Sequence, residues 1–368
     1  MRPPARLRLI ASAVLALALA WITEMLIPAW KSTILYAAFG STISVQMLLI
    51  GIGGALAILL MNLAGTRVAV MTHSVLTYGF LLVVLCILVA LLGNGDAAHL
   101  RPLFATTNGK PWWLGAFGIF SFCAYALNGF QTIPQAIEER SGRTNLRTIG
   151  MVIIASVAAA AAFYCLVVIA ASVATPWQRL VAEPLPMIAA AGTLPRGALV
   201  QQVLLIATAV SLLKAWNGVF MMAVRLLVAM ARAGYVPASF ASLHTRLGSP
   251  WRALLFIAAL NIAGIFWGKA AIEPITDMCA MVLTLTYVMC CVTVLRLRAR
   301  SGTARFELPG GRAFIWLGLA GSIVMAIVAF AAPSWRGAGV PLEWQLLAVW
   351  GGIGLAVYWL HVRHTVAA

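Results

Sequence analysis

Ten long apolar runs follow one another along this chain, and the gaps between them are too short to hold a folded domain. A helix needs roughly 20 apolar residues to cross the hydrocarbon core of a bilayer. The runs fall at about 9–29, 42–63, 68–93, 113–135 and 147–174, then at about 199–230, 251–268, 274–295, 313–332 and 343–361. The gaps carry the residues of turns, as in Gly93-Asn94-Gly95-Asp96, Pro184-Leu185-Pro186 and Pro309-Gly310-Gly311. Composition closes off the alternatives. Charged residues are 9% and hydrophobic residues 63%, where a soluble domain carries about 25% charged. A soluble enzyme and a disordered chain are excluded. The expectation is one all-α, polytopic transmembrane helix bundle of about ten helices, embedded in a lipid bilayer.

The formal net charge of +16 does not indicate nucleic acid. The basic residues sit in short gaps between apolar runs, with no basic cluster interleaved with aromatics on a polar face. They obey the positive-inside rule instead. With the N-terminus inside, sixteen Lys and Arg fall in the inner segments and seven in the outer loops; Lys214 and Arg225 lie within a run. That bias predicts both termini in the cytoplasm and an even number of spans. An Arg-rich start followed by an apolar run also has the outline of a signal peptide, but the run continues through Trp21 to Trp30. The six cysteines all lie inside apolar runs without metal-ligand spacing, so they read as small core residues.

Interruptions of an apolar run carry information, because lipid offers no partner to a freed backbone group. The fourth run holds Asn128-Gly129 past its midpoint and Pro134 five residues later. Two readings stand open: a discontinuous helix whose freed groups line a substrate cavity, or a kinked helix packed on glycine faces. The sixth run carries Lys214 near its middle, where a cation must face the bundle interior and find a partner, lose its proton or snorkel. Glu24 reads as interfacial, Glu273 and Asp277 as acids opening a helix, and His73 as close to the cytoplasmic surface. No Ser-His-Asp, Cys-His or paired-carboxylate constellation emerges, so no catalytic residue, metal or cofactor is implied.

Several stretches carry a family resemblance. They are Gly129-Phe130-Gln131-Thr132-Ile133-Pro134-Gln135-Ala136-Ile137-Glu138-Glu139, then Trp216-Asn217 to Arg225 followed by Ala231-Arg232-Ala233-Gly234-Tyr235-Val236-Pro237, and Arg305-Phe306-Glu307-Leu308-Pro309-Gly310. Asn62-Leu63-Ala64-Gly65 adds a short turn. In this order they resemble the amino acid–polyamine–organocation (APC) permeases of bacteria, across nearly the whole chain. The resemblance implies an inverted-repeat, leucine-transporter-like fold whose broken first and sixth helices cradle the substrate. The 113–135 run maps to the sixth helix. Tyr125, Ala126, Leu127, Asn128, Gly129 and Phe130 would then hold the substrate amino group, with Tyr125 as a lid. Lys214 and Asn217 would lie near the pathway, Lys214 as a coupling candidate, and Glu138 and Glu139 would form a cytoplasmic gate.

The mapping assigns 9–93 to the remnant of a first repeat, helices three to five. It assigns 113–295 to the second repeat and 313–361 to two C-terminal helices. The first two helices of the family pattern have no counterpart, so the chain is expected to be N-terminally truncated. Phe80 stands where many proton-coupled relatives carry a lysine, and Gln131 where some carry an acid. The implied function is secondary active transport of an amino acid or related amine across the bacterial inner membrane. A coupling ion, H+ or Na+, or an exchange substrate would drive it. The rival is a non-transporting remnant or an accessory membrane subunit.

Overall fold

The computed structural model describes residues 8–27, 33–38, 40–64, 66–104, 111–135, 145–245, 248–301, 311–335, 339–357 and 359. All ten expected runs form helices. They are α1 (Arg8–Leu26), α2 (Val45–Ala64), α3 (Thr66–Asn94), α4 with α5 (Trp112–Ala126 and Thr132–Gln135) and α6 (Leu146–Ala174). After the short α7 (Trp177–Leu180) and α8 (Pro186–Ala191) come α9 (Gly197–Arg232), α10 (Trp251–Ile265), α11 (Ile272–Ser301), α12 (Gly311–Ala331) and α13 (Leu342–Val357). Among the described residues, six helices are long and apolar enough to cross a membrane by length and composition. Of the other four, α1 has 19 residues, with Val14–Leu26 as its apolar stretch, α4 and α10 have 15 each and α13 has 16.

The gap before α2 holds an element the sequence reading left as loop. Strands β1 (Ile34–Ala38) and β2 (Ser41–Ser44) form an antiparallel hairpin, with Gly40 at φ +83° in its turn. Its polar side chains tie it to the helices. The Tyr36 hydroxyl donates to the Phe266 carbonyl at 2.9 Å. The Ser44 hydroxyl donates to Glu24 Oε1 at 2.9 Å and accepts from the Met47 amide at 3.1 Å, capping α2. Glu24 is therefore a fastening point between α1 and the hairpin.

Helix α9 is the centre of the arrangement, packed against α1, α2, α3, α5, α8 and α10. The main buried cluster joins Leu17 of α1, Ile58 of α2, Trp216 and Phe220 of α9, and Leu254 and Ile257 of α10. Lipid tails are as apolar as these side chains, so hydrophobicity alone cannot draw the helices together. Close packing on small residues does, and Ala16, Ala20, Ala55, Ala223, Ala253 and Ala258 are all buried in this cluster. Two polar links run through it. Trp216 Nε1 donates to Asn261 Oδ1 at 3.0 Å, and Asn62 Nδ2 donates to Asn217 Oδ1 at 2.7 Å. Each such interhelical bond contributes on the order of 0.6 kcal/mol, up to about 1.7.

The cysteines correct the sequence reading. Only Cys279 is buried, whereas Cys86, Cys165 and Cys290 are exposed. In a chain that spans a membrane an apolar outer helix face meets lipid, so a small apolar residue need not point inward.

Trp216 fixes the spacing of α2 and α9. It is fully buried, its indole is held by Asn261, and a methyl group on Gly54 would stand 2.6 Å from its Cζ3. Gly54→Ala is expected to lower stability by about 1–3 kcal/mol through overpacking. Thermal unfolding of the full chain in detergent checks this, and an unchanged midpoint would contradict the packing described.

Candidate functional site

The fourth run is not a continuous helix. Helix α4 ends at Ala126, residues 127–131 form a turn, and α5 begins at Thr132. Gly129 lies at φ +142°, a conformation that L side chains rarely adopt. The interruption belonging to the first of the two open readings is observed, with the freed carbonyls met by protein groups. Ending a helix leaves carbonyls without intrahelical donors, and here they are accounted for locally. The Leu127 amide donates to the Cys123 carbonyl at 3.0 Å and the Asn128 amide to the Tyr125 carbonyl at 3.0 Å.

Two tyrosines from other helices take the rest. The Tyr164 hydroxyl of α6 donates to the Ala126 carbonyl at 3.1 Å. The Tyr287 hydroxyl of α11 reaches the Ala124 carbonyl at 3.4 Å and accepts from Gln131 Nε2 at 2.9 Å. Gln131 Oε1 in turn accepts from the Gly129 amide at 3.0 Å. This chain of bonds clamps the two ends of the turn onto α11. The Phe130 and Tyr287 rings pack with centroids 6.0 Å apart. Neither tyrosine was singled out from the sequence; the available signal was an aromatic with a polar tip inside an otherwise apolar run.

One polar atom at the turn has no such partner. Asn128 Oδ1 is buried and makes no hydrogen bond among the described residues. It follows the C-terminal end of α4, where the helix dipole is negative and a cation is favoured. Tyr125 packs into a separate cluster with Val14 of α1, Val219 of α9, and Ile275 and Cys279 of α11. Tyr125, Ala126, Leu127, Asn128, Gly129 and Phe130 are thus together at one interruption.

The remaining candidates lie apart from it. Asn217 is buried, and its Oδ1 is engaged by Asn62 in the α2–α9 interface. Lys214 Nζ sits over the Phe80 ring of α3 at 5.5 Å from the centroid. His73 lies seven residues into α3, where its ring stands near Gly218 of α9. Asp277 lines a cavity of about 200 Å³ between α4, α11 and α12, with Gly118, Phe122 and Ala329 among its other walls. Glu138 and Glu139 lie outside the described residues, as does the Arg305–Gly310 stretch.

The tyrosine clamps differ in what they hold. Tyr287→Phe strands the buried Gln131 amide as well as a carbonyl, whereas Tyr164→Phe releases one carbonyl only. An unsatisfied buried group costs about 1–3 kcal/mol. The thermal midpoint is expected to drop further for Tyr287→Phe than for Tyr164→Phe, with faster amide exchange at 127–131. The reverse order would show that Gln131 does not depend on the Tyr287 hydroxyl.

Comparison with known proteins adds one positive result. The amino acid permease family matches residues 2–357 of the chain. No curated protein matches it.

Proposed function

The chain belongs to the amino acid permease family, and from that premise we propose that it is a secondary transporter of an amino acid or related amine, with the interruption after α4 as the seat of the amino group. Family membership supports membrane transport of amino acids or amines in general and points away from an enzyme. The seat of the substrate is our reading, and the observation that carries it is the buried Asn128 Oδ1 without a hydrogen-bond partner.

A buried acceptor left unmade costs free energy, so a donor arriving there is rewarded. An ammonium group brings three N–H donors and a positive charge. The C-terminal end of α4 favours that charge. The tyrosine clamps support the same reading, because they hold the turn open as a fixed shape without using the Asn128 acceptor. Tyr125 closes over the ammonium as a lid, Asn217 stays beside the pathway, and Glu138 and Glu139 serve as the cytoplasmic gate. The family pattern of two inverted repeats divides the chain at 9–93 and 113–295. The excess of inner Lys and Arg supports the inner membrane with both termini cytoplasmic. Lys214 is the candidate for coupling uptake to H+ or Na+, or to exchange.

The test is uptake of radiolabelled amino acids and amines into liposomes holding the full chain, with and without an imposed ion gradient. Accumulation above protein-free liposomes is expected for at least one compound, and collapse of the gradient should abolish it unless a counter-substrate is loaded inside. Asn128→Leu removes the acceptor at similar bulk. A hydrogen bond to a charged group contributes about 1.5–3 kcal/mol, so its KM should rise at least tenfold. No accumulation of any compound would favour the non-transporting alternative.

A further inference from the structure

Helix α11 turns three faces to three different surroundings. Met278 and Val282 pack on Leu346, Leu347 and Trp350 of α13. Ile275 and Cys279 join Tyr125 and Val14 in the cluster beside the α4 turn. Asp277 and Ala280 line the cavity of about 200 Å³ shared with α4 and α12. At about 100° per residue, Ile275 and Cys279 each stand roughly 160° round the helix from Asp277. The body of α11 therefore separates this cavity from the Tyr125 cluster.

The cavity lies near one end of all three helices. Gly118 is the seventh residue of α4, Asp277 the sixth of α11, and Ala329 the third from the end of α12. At about 1.5 Å per residue, each stands within roughly 10 Å of its helix end. The other described walls are Ile119 and Phe122 of α4, Ala280 of α11, and Ala332 just beyond α12. Two of these walls are also exposed on the outside of the bundle, Ile119 at 68% and Phe122 at 44%. In a chain that spans a membrane, an exposed apolar side chain on such a helix meets lipid. The mouth of the cavity thus faces the bilayer, close to its headgroup region.

One carboxylate in such a space selects its ligand by chemistry. The other described walls add no side-chain oxygen or nitrogen, so they do not suit a hard metal ion, which takes about six or more oxygen ligands. An anionic headgroup would meet a like charge. An ammonium complements the carboxylate, and the apolar walls complement the hydrocarbon attached to it. Asp277 also has an interaction within the protein. A carboxylate offers about four acceptor positions, so one such interaction does not exhaust it.

We propose that the cavity between α4, α11 and α12 binds the headgroup of a lipid that ends in a primary ammonium, with Asp277 as the acceptor and the acyl chains lying along Ile119 and Phe122. The occupant is a component of the bilayer, so the site is independent of the transport reading.

The experiment is lipid binding to the detergent-solubilised full chain, followed by native mass spectrometry. The probes are phosphatidylethanolamine, its N-methyl and N,N-dimethyl forms, phosphatidylcholine and phosphatidylglycerol, all with the same acyl chains. The methylated series keeps the positive charge and removes the N–H donors one at a time. The wild type should bind phosphatidylethanolamine at least about fivefold tighter than phosphatidylcholine or phosphatidylglycerol, with a stepwise fall along the series. Asp277→Asn should bring all of them within about twofold of one another, and Asp277→Glu should keep most of the preference. Should the Asn variant fail to fold, Ala332→Leu carries the same test, because it fills part of the cavity and keeps the carboxylate; it should remove the preference. Equal binding of all these lipids by the wild type overturns the site. A preference that survives Asp277→Asn or Ala332→Leu overturns it as well. Free ethanolamine that displaces the lipid at equal concentration would mark a site for a soluble cation and overturns the lipid as its occupant.

Discussion

Backbone hydrogen bonding in lipid is the constraint on which this structure depends. A spanning helix satisfies its own N–H and C=O groups, and any interruption must find substitutes within protein. The interruption at 127–131 finds them in a specific set: two tyrosine hydroxyls, one glutamine side chain and the turn's own amides. Tyr164 comes from α6 and Tyr287 from α11, so the break in one helix fixes its relation to two others. Gly129 supplies the backbone conformation, and Gln131 fills the remaining donor and acceptor roles. Every member of this set is there because α4 stops.

The same logic separates the bundle into a closely packed part and a part organised around the interrupted helix. Around Trp216, α1, α2, α9 and α10 meet on alanines and glycines, and their two polar links join side chains that are buried and mutually engaged. That region has little freedom to change. The α4–α5 turn differs in where its bonds run, to side chains on α6 and α11; buried acceptors without a partner among the described residues occur in both parts, Asn128 Oδ1 at the turn and Asn62 Oδ1 in the α2–α9 link.

The helices were legible because apolar length is a strong signal in a chain with so few charges. The break was half legible: Asn128-Gly129 and Pro134 marked the place, while the tyrosines that secure it belong to distant runs that pattern alone does not connect. The hairpin at 34–44 was missed because its strands are short and sit between two spans, where a loop is the default. Asn217 was drawn to the pathway by the family mapping alone; its bond to Asn62, 155 residues away in sequence, is a contact that no pattern along the chain reveals. The cysteines misled for a related reason: an apolar run does not say which of its faces meets lipid.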